Sequence, residues 1–317
     1  MSLHTGILIS YTYRVTLRQL AMLREVARQS LSISRAAAAL HTSQPALSRQ
    51  IQLLEEELGA PLIVRRRNRT LGFTDLGKSV LAAAHRLLSE ADNIRAMAEE
   101  GASPGHGRLA LVTSHLHARY TLLDPVAAFV RRYPDVQLEL METAHDNIPR
   151  LLEANEADLG ITTELETAHP ALVRLTGPAI RRALIVPKGH PLARKRAIAL
   201  PDLAAYPLLG YNPQAHTGQV IAETLREHGI LPRYLASVSN TDVVKAYVGR
   251  GLGIAVIPAI AVDPRADTAI KSRDVTHLFP QSVLTVSFRR NAYLRPYVID
   301  FIRMVLPGLD PASIATA

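Results

Sequence analysis

Five polar side chains lie on one face of a predicted helix in the stretch HTSQPALSRQIQLLEEELG, residues His41 to Gly59. At 3.6 residues per turn, the apolar residues of this stretch form a stripe on the opposite face. Arginine and glutamine side chains form paired hydrogen bonds with guanine and adenine edges, and serine hydroxyls bind phosphates. These five side chains therefore suit contact with a nucleic-acid duplex: Ser43, Gln44, Ser48, Arg49 and Gln52.

The surrounding pattern predicts three short helices that position this face. Apolar residues from Leu17 to Val26 recur with helical spacing, and ISRAAAAL predicts a second helix with Ser34 as its N-cap. The third helix begins after Thr42 or Ser43, with Pro45 in its first turn, where a missing N–H is tolerated. The tight turn between the second and third helices has helix-turn-helix spacing, in which the second helix enters the major groove. We therefore add Pro45 to the predicted groove residues.

A basic hairpin is predicted after the third helix, in the stretch APLIVRRRNRTLGFTDLG. An apolar run, an arginine-rich tip and a return strand are typical of a wing. We expect Arg65, Arg66 and Arg67 to contact the duplex backbone or minor groove, with strong salt dependence. The acidic run Glu55–Glu57 falls at the far end of the helix, where we expect it to avoid the phosphates.

A long helix is predicted from its N-cap, Thr74, to about Glu100. Its apolar residues recur at alternating spacings of four and three, which is typical of a seam that packs on a partner helix. A cluster of Gly, Ser and Pro between Glu99 and Arg108 then predicts a domain boundary. The seam consists of Val80, Ala84, Leu87, Ala91, Ile94 and Ala98.

The remaining two hundred or so residues alternate strand-like runs, such as RLALVTS, VQLELME and GIAVIP, with amphipathic helices. This alternation predicts an α/β fold with parallel strands, and the length favours two small sheets. Three junctions between a strand and a helix carry hydroxyl or imidazole donors beside free backbone N–H groups, an arrangement that binds anions. Helix capping alone is the alternative interpretation of each junction. The junction residues are Thr113, Ser114, His115 and His117, then Thr162 and Thr163, then His216 and Thr217.

Composition limits the class of protein. The 317 residues are 48% hydrophobic and 20% charged, with formal charge +8 and a sequence pI near 9.9, which favours a globular chain with an anionic partner. Residues 1–76 carry ten Lys and Arg against five Asp and Glu. The absence of cysteine excludes disulfides and thiolate sites. The N-terminus lacks signal-peptide features, so we expect a cytoplasmic protein with a flexible extension at residues 1–14.

Several motifs together resemble those of the LysR-type transcriptional regulators, and specifically their CysB-like branch, which regulates sulfur assimilation. They include SRAAAALHTSQPALSRQIQLLEEELG, EADLGITTE, VPKGHPLA and TDVVKAYVGRGLGIAVIP, and the resemblance extends over roughly residues 15 to 310. It implies an α+β multidomain protein. A winged helix-turn-helix (residues 15–73) and a dimerisation helix (74–100) precede a hinge (101–107) and a two-lobed, periplasmic-binding-protein-like (type 2) effector domain (108–317).

The same resemblance implies the partners. It implies double-stranded promoter DNA with dyad symmetry, a homodimer formed through the long helix, a homotetramer on DNA, RNA polymerase and a small effector. It divides the effector domain into one lobe at about 108–177 and 283–317 and another at about 178–282. It implies neither a metal nor a catalytic residue.

The resemblance places effector contacts at five residues. Two of them depart from the family pattern, because this chain has Leu116 and His117 at positions where the family pattern has threonine and glutamine. The change adds an apolar surface and a titratable ring, so we expect an organosulfonate or carboxylate rather than sulfate or an acetylated serine. The five residues are Ser114, Leu116, His117, Thr163 and Thr217.

Two other classes of protein remain as alternatives. A solute-binding protein could use the same lobes with a helical head that does not bind DNA. An enzyme is disfavoured because GASPG places a proline where an oxyanion-hole N–H is required, and GRGLG follows a helix instead of a strand. The spacing of His115 and His117 does not suit a shared metal.

Overall fold

The computed structural model describes residues 15–66, 69–103, 105–163, 169–211, 216–238 and 240–309. The chain divides into two compact units, residues 1–96 and 97–317. The expected N-terminal extension, residues 1–14, lies outside the described residues. None of the helices in the described part of the chain combines the length and hydropathy that a bilayer crossing requires.

Three short helices form the core of the first unit: α1 (Leu17–Arg28), α2 (Ile33–Ala39) and α3 (Gln44–Leu58). Leu23, Leu47 and Ile51 are fully buried where the three helices meet. Ser43 caps α3, because its hydroxyl accepts the backbone N–H of Ala46. The predicted cap of α2 was wrong, since Ser32 occupies that position.

The hairpin consists of antiparallel strands β1 (Ile63–Arg66) and β2 (Arg69–Phe73), and α4 follows (Asp75–Ala102). Thr74 caps α4 as predicted, with its hydroxyl 2.9 Å from the backbone nitrogen of Gly77. A Cβ atom at Gly77 would lie 2.0 Å from the carbonyl oxygen of Leu62, so only glycine allows α4 to begin this close to the hairpin.

The second unit contains two lobes. Its described strands are β3 (Gly107–Thr113), β4 (Val136–Glu142), β5 (Leu159–Thr163), β6 (Leu172–Ile180), β7 (Arg182–Pro187), β8 (Leu208–Tyr211), β9 (Tyr234–Val238), β10 (Ala255–Pro258), β11 (Ile270–Asp274) and β12 (Ser282–Arg289). Its described α-helices are α5 (Leu123–Arg132), α6 (Ile148–Glu153), α7 (Leu200–Ala204), α8 (His216–Glu227), α9 (Thr241–Gly249) and α10 (Pro296–Val305), and His117–Thr121 forms a π-helical segment.

The first lobe is a five-stranded sheet in the order β4-β3-β5-β12-β6. Strands β3, β4 and β5 are parallel, as expected, whereas β12 runs antiparallel to both β5 and β6. An apolar core that includes Leu111, Ile161 and Phe301 covers one face of the sheet. Helix α6 packs on the other face.

The second lobe combines the antiparallel strands β10-β7-β11 with the parallel pair β8-β9, and a single bridge between Leu208 and Ile254 connects these two groups. The crossings between lobes differ slightly from the expected limits of 178 and 282. Ile180 still pairs with Ser282 in the sheet of the first lobe, because β6 continues to hydrogen-bond with β12 up to that point.

Candidate functional site

The polar face of α3 is exposed to solvent. Pro45, Arg49 and Gln52 are exposed, as are Ser43 and Gln44, and Ser48 is half-buried. The opposite face is fully buried through Leu47, Ile51 and Leu54. The helix therefore presents the predicted groove residues outward and uses its apolar stripe to hold itself on α1 and α2.

Two polar contacts orient side chains on this face. The Ser34 hydroxyl donates to Gln44 Oε1 at 3.0 Å, so the serine wrongly predicted as a cap touches the first residue of α3. Arg49 Nη1 lies 3.1 Å from Glu56 Oε1, and the two side chains are 58% and 60% exposed. Exposed ion pairs contribute little, so a phosphate or base can replace Glu56 readily.

Glu55 has a structural role that the sequence analysis missed. Its side chain is buried, and Oε1 accepts the backbone N–H groups of Leu62 and Ile63 at 2.8 and 3.1 Å. Its other oxygen lies 2.8 Å from Arg65 Nη1. Position 55 continues the apolar spacing of Leu47 and Ile51, and a carboxylate on a buried stripe was the signal available. Glu55 lies near the end of α3, as expected, but its carboxylate binds the hairpin inside the protein.

The predicted wing arginines therefore differ in what the structure shows. Arg65 is partly exposed and already paired with Glu55, which joins the hairpin to the end of α3. Only the backbone of Arg66 is described, and Arg67 lies outside the described residues. The contribution of these three residues to DNA binding stays a prediction.

The seam predicted on α4 is split between two environments. Ala84 is fully buried, and Val80 packs against the core of the first unit. Further along the helix, Leu87 and Ile94 are 53% and 62% exposed. The later turns of α4 therefore present apolar side chains to solvent.

At the first strand-to-helix junction, Thr113 points into the protein. It is fully buried, and its hydroxyl donates to the carbonyl oxygen of Ile161 at 2.6 Å. Ser114, the next residue, is half-buried, and its carbonyl accepts the N–H of Ala118 at 3.0 Å. The π-helical turn that follows was not predicted, and such turns are frequent at functional sites.

His117 connects the first junction to the second. Its Nδ1 lies 2.9 Å from Thr121 Oγ1, and its Nε2 lies 3.0 Å from Thr163 Oγ1. Burial, with a smaller contribution from nearby His145, lowers the pKa of His117 to about 4. The ring is therefore neutral at pH 7, and it offers an effector no positive charge.

The remaining junction residues occupy separate positions. Thr162 is buried on the face opposite Thr163, because side chains alternate along β5, and its hydroxyl has no hydrogen-bond partner among the described residues. Thr217 lies in the first turn of α8, where, among the described residues, it forms no hydrogen bond to the other two junctions. Only the backbone of His216 is described.

His115 and Leu116 point toward the second lobe. His115 Nδ1 lies 3.1 Å from Glu142 Oε2, and its Nε2 lies 3.2 Å from Asp242 Oδ2. Leu116 packs against the apolar cluster of the second lobe that includes Tyr211. The imidazoles of His115 and His117 thus face different partners.

Asp242 receives several donors. Burial opposes its ionisation, but hydrogen bonds from Tyr120 and His115 and the positive charges of Arg119 and Lys245 lower the pKa of Asp242 below its usual value. The carboxylate is therefore ionised at neutral pH, beside the first junction.

Comparison with known protein families gives a match for each of two regions of the chain. Residues 17–78 match the bacterial regulatory helix-turn-helix protein model of the lysR family, and residues 102–310 match the LysR substrate binding domain. The chain belongs to the LysR family. This confirms the predicted fold class and the resemblance on which it depended.

Relatives of this LysR-type regulator match along almost its whole length. The transcriptional regulator SsuR of Burkholderia cenocepacia is 36% identical, over 94% of this chain and 97% of the relative. CysB of Haemophilus influenzae is 34% identical, over 95% and 93%. The crystal structure of the cofactor-binding domain of the Cbl transcriptional regulator has a TM-score of 0.63 at 29% identity, over 68% of this chain and 94% of that domain.

The LysR protein is accordingly a DNA-binding transcriptional regulator with a domain for a small-molecule effector. Its relatives are regulators and not enzymes. The family match therefore favours a regulator over the two alternatives that the sequence left open, a solute-binding protein and an enzyme.

Proposed function

We propose that this LysR protein reads promoter DNA with the exposed face of α3 and controls genes of sulfur or organosulfur metabolism. The observation that carries the proposal is the division of α3 into a buried apolar face and an exposed face with Gln44, Arg49 and Gln52. Arginine and glutamine at the start of a recognition helix suit guanine and adenine edges. The similarity to SsuR and CysB supports the sulfur assignment.

The hairpin contributes contacts that do not depend on sequence. Glu55 fixes Arg65 and the start of β1 against the end of α3, so the arginine tip follows the recognition helix when the helix docks. Arg66 and Arg67 then contact phosphates or the minor groove. These contacts give affinity and salt dependence, and α3 gives sequence preference.

The exposed apolar residues of α4 support a homodimer. Leu87 and Ile94 are seven residues apart and therefore share one side of the helix, and Met97 is also exposed. A second copy of α4 would bury them. Two such dimers form a homotetramer in the cytoplasm, with one pair of heads for each dyad-symmetric site.

The effector is an organic anion. Ser114, Thr163 and Thr217 supply hydroxyl groups, and the neutral ring of His117 adds no charge, so the effector is held by neutral donors. Leu116 is part of the apolar surface toward the second lobe, which favours an anion with a hydrocarbon portion. An alkylsulfonate or a small carboxylate fits these properties better than sulfate.

A mobility-shift experiment tests DNA binding. The full-length protein is titrated onto the DNA upstream of its own gene and onto a shuffled fragment, at about 0.05 and 0.2 M salt. We expect preference for the upstream fragment and weaker binding to both at the higher salt. Gln52→Ala should reduce the preference, whereas Arg95→Ala, which removes a charge from α4, should leave it unchanged. Equal affinity for both fragments at every salt concentration would reject the proposal.

Calorimetric titration tests the effector. The full-length protein is titrated with sulfate, an acetylated serine and a short alkylsulfonate. We expect the alkylsulfonate to bind most tightly and Thr163→Val to weaken it. Tighter binding of sulfate than of any organic anion tried would overturn the effector assignment and leave the DNA assignment intact.

A further inference from the structure

The chain segment between β3 and α5 belongs to the first lobe by connectivity but packs on the second. Leu116 and Tyr120 both contact the apolar cluster of the second lobe, which contains Tyr211 and Val244. His117, between them, turns back to Thr163 of the first lobe. The segment is therefore held by both lobes at once, directly after Ser114.

Asp242 is the polar anchor of this segment on the second lobe. It lies in the first turn of α9, where its backbone N–H is accepted by the capping residue Asn240. The Tyr120 hydroxyl donates to one carboxylate oxygen. His115 Nε2 and Arg119 Nε lie 3.2 and 3.1 Å from the other. Three side chains of the first lobe thus converge on one carboxylate of the second.

His115 lies between carboxylates of the two lobes. Glu142, at the end of β4, faces Nδ1 at 3.1 Å, and Asp242 faces Nε2 at 3.2 Å. A neutral imidazole carries one N–H, so it can donate to only one of these carboxylates, and its lone pair then faces the other. Only the doubly protonated ring donates to both.

Other charged groups near the cluster do not remove this requirement. Arg119 and Tyr120, on the same segment, contact Asp242. Lys245, on α9, lies 3.6 Å from Asp242 but is closer to Asp267, at 3.1 Å. These groups balance the charge of Asp242, whereas His115 is the group that the structure places against Glu142.

We propose that Glu142, His115 and Asp242 form a proton-dependent clasp between the two lobes, with Asp242 as the positioning residue of the effector site. Protonated His115 holds the lobes together and fixes the turn that follows Ser114. Loss of the proton replaces one hydrogen bond by repulsion between a lone pair and a carboxylate, and the lobes separate more readily. The contact between the lobes therefore weakens as the pH rises and the ring loses its second proton.

The connection between the clasp and the effector site rests on the proposed function, but the clasp itself can be tested without an effector. The chain contains no cysteine, so two introduced cysteines can be labelled selectively. Arg131→Cys on α5 and Lys188→Cys after β7 lie on exposed positions of the two lobes. Spin labels at these sites report the distance between lobes by pulsed electron resonance, in full-length protein diluted with unlabelled chain.

We expect a longer or broader distance distribution at about pH 8.5 than at about pH 5.5. His115→Gln should abolish this difference, and Glu142→Gln should reduce it, because an amide at position 142 can donate a hydrogen bond to the lone pair of the neutral ring. His106→Gln, which changes an exposed histidine just before β3, should keep it.

Two results would overturn the clasp. One is a distance distribution that does not change with pH in the parent protein. The other is a change that persists in His115→Gln. Failure of the alkylsulfonate titration leaves both measurements intact, so the two proposals can fail separately.

Discussion

The recognition helix and the effector junctions use their polar side chains in opposite ways. On α3, the predicted contacts Gln44, Arg49 and Gln52 are exposed. At the junctions, Thr113 and His117 are buried and hydrogen-bonded within the protein. The head, formed by α1–α3 and the β1-β2 hairpin, thus presents its polar groups to an external partner. The effector domain instead uses several of the predicted groups in hydrogen bonds within its own site.

This difference follows from geometry. A surface helix buries one stripe and exposes the other, so the period of 3.6 residues separates the two faces over four turns. At a strand end, neighbouring side chains alternate between faces of the sheet. Thr162 and Thr163 are adjacent in sequence, yet one points toward α6 and the other toward His117. Only a few residues define each junction, so the sequence does not decide which of them face a ligand.

The two faces of α3 should separate stability from DNA affinity, and this is the largest expected effect. Leu47→Ala removes a fully buried side chain and should destabilise the head by about 2–5 kcal/mol. Gln52→Ala should change the unfolding free energy by less than about 0.5 kcal/mol. Urea unfolding followed by circular dichroism checks both. A destabilisation by Gln52→Ala as large as that by Leu47→Ala would remove the contrast between the faces.

His117 gives the effector domain a pH-dependent stability. Its pKa is about 4 in the folded protein because of burial, against about 6.5 when unfolded. Between these values the unfolded chain binds the proton, so stability is full above about pH 6.5 and falls toward pH 4. The loss amounts to roughly 1.4 kcal/mol per pH unit, on the order of 3 kcal/mol in all.

Urea unfolding at about pH 7 and about pH 5 tests this dependence. His117→Gln removes the titrating ring, and its stability should therefore fall less on acidification than that of the parent. His106→Gln should behave like the parent, because that side chain is exposed. An unchanged slope in His117→Gln would show that the acid sensitivity comes from other groups.

Parts of the fold were predictable because local signals agreed with each other. Ser43 before Pro45 marks a helix start by capping and by the tolerance of proline in a first turn, and the structure begins α3 there. The run VQLELME corresponds to β4, Val136–Glu142, with its ends unchanged. Where capping, periodicity and turn residues point to the same boundary, the tertiary structure has little left to decide.

Other parts depended on contacts that the sequence does not show. Strand β6 contains Gly177 and Pro178, which are typical of a turn, so the local pattern does not indicate a strand there. A Cβ at Gly177 would lie 2.4 Å from Leu306 Cδ2, so packing against the end of the chain's last described helix explains the glycine. His115 meets Asp242 across 127 residues of sequence, a pairing that no local pattern indicates.

Arg49, on the exposed face of α3, should affect DNA binding without affecting stability. Arg49→Ala should lower affinity for the specific site by about 1–3 kcal/mol and relax preference at one base pair. Stability should be unaffected, because the ion pair with Glu56 is exposed. Selection from a randomised DNA pool checks the preference. A uniform loss on all sequences would instead identify Arg49 as a phosphate contact.

The smallest effect is expected from substitutions of two adjacent threonines of β5. Thr162→Val replaces a buried hydroxyl, which has no hydrogen-bond partner in the part of the chain that the structure describes, by a methyl group of similar size, so it should leave stability within about 1 kcal/mol or increase it. Effector affinity should not change. Thr163→Val removes the hydroxyl that lies against His117 Nε2 and leaves that buried ring nitrogen unsatisfied. It should also lower the affinity for the effector. Calorimetric titration of both variants with the effector shows which face of β5 the effector contacts. If Thr162→Val weakened the effector more than Thr163→Val, the ligand would have to reach the α6 side of the sheet, and the effector site would have to be redrawn from that face.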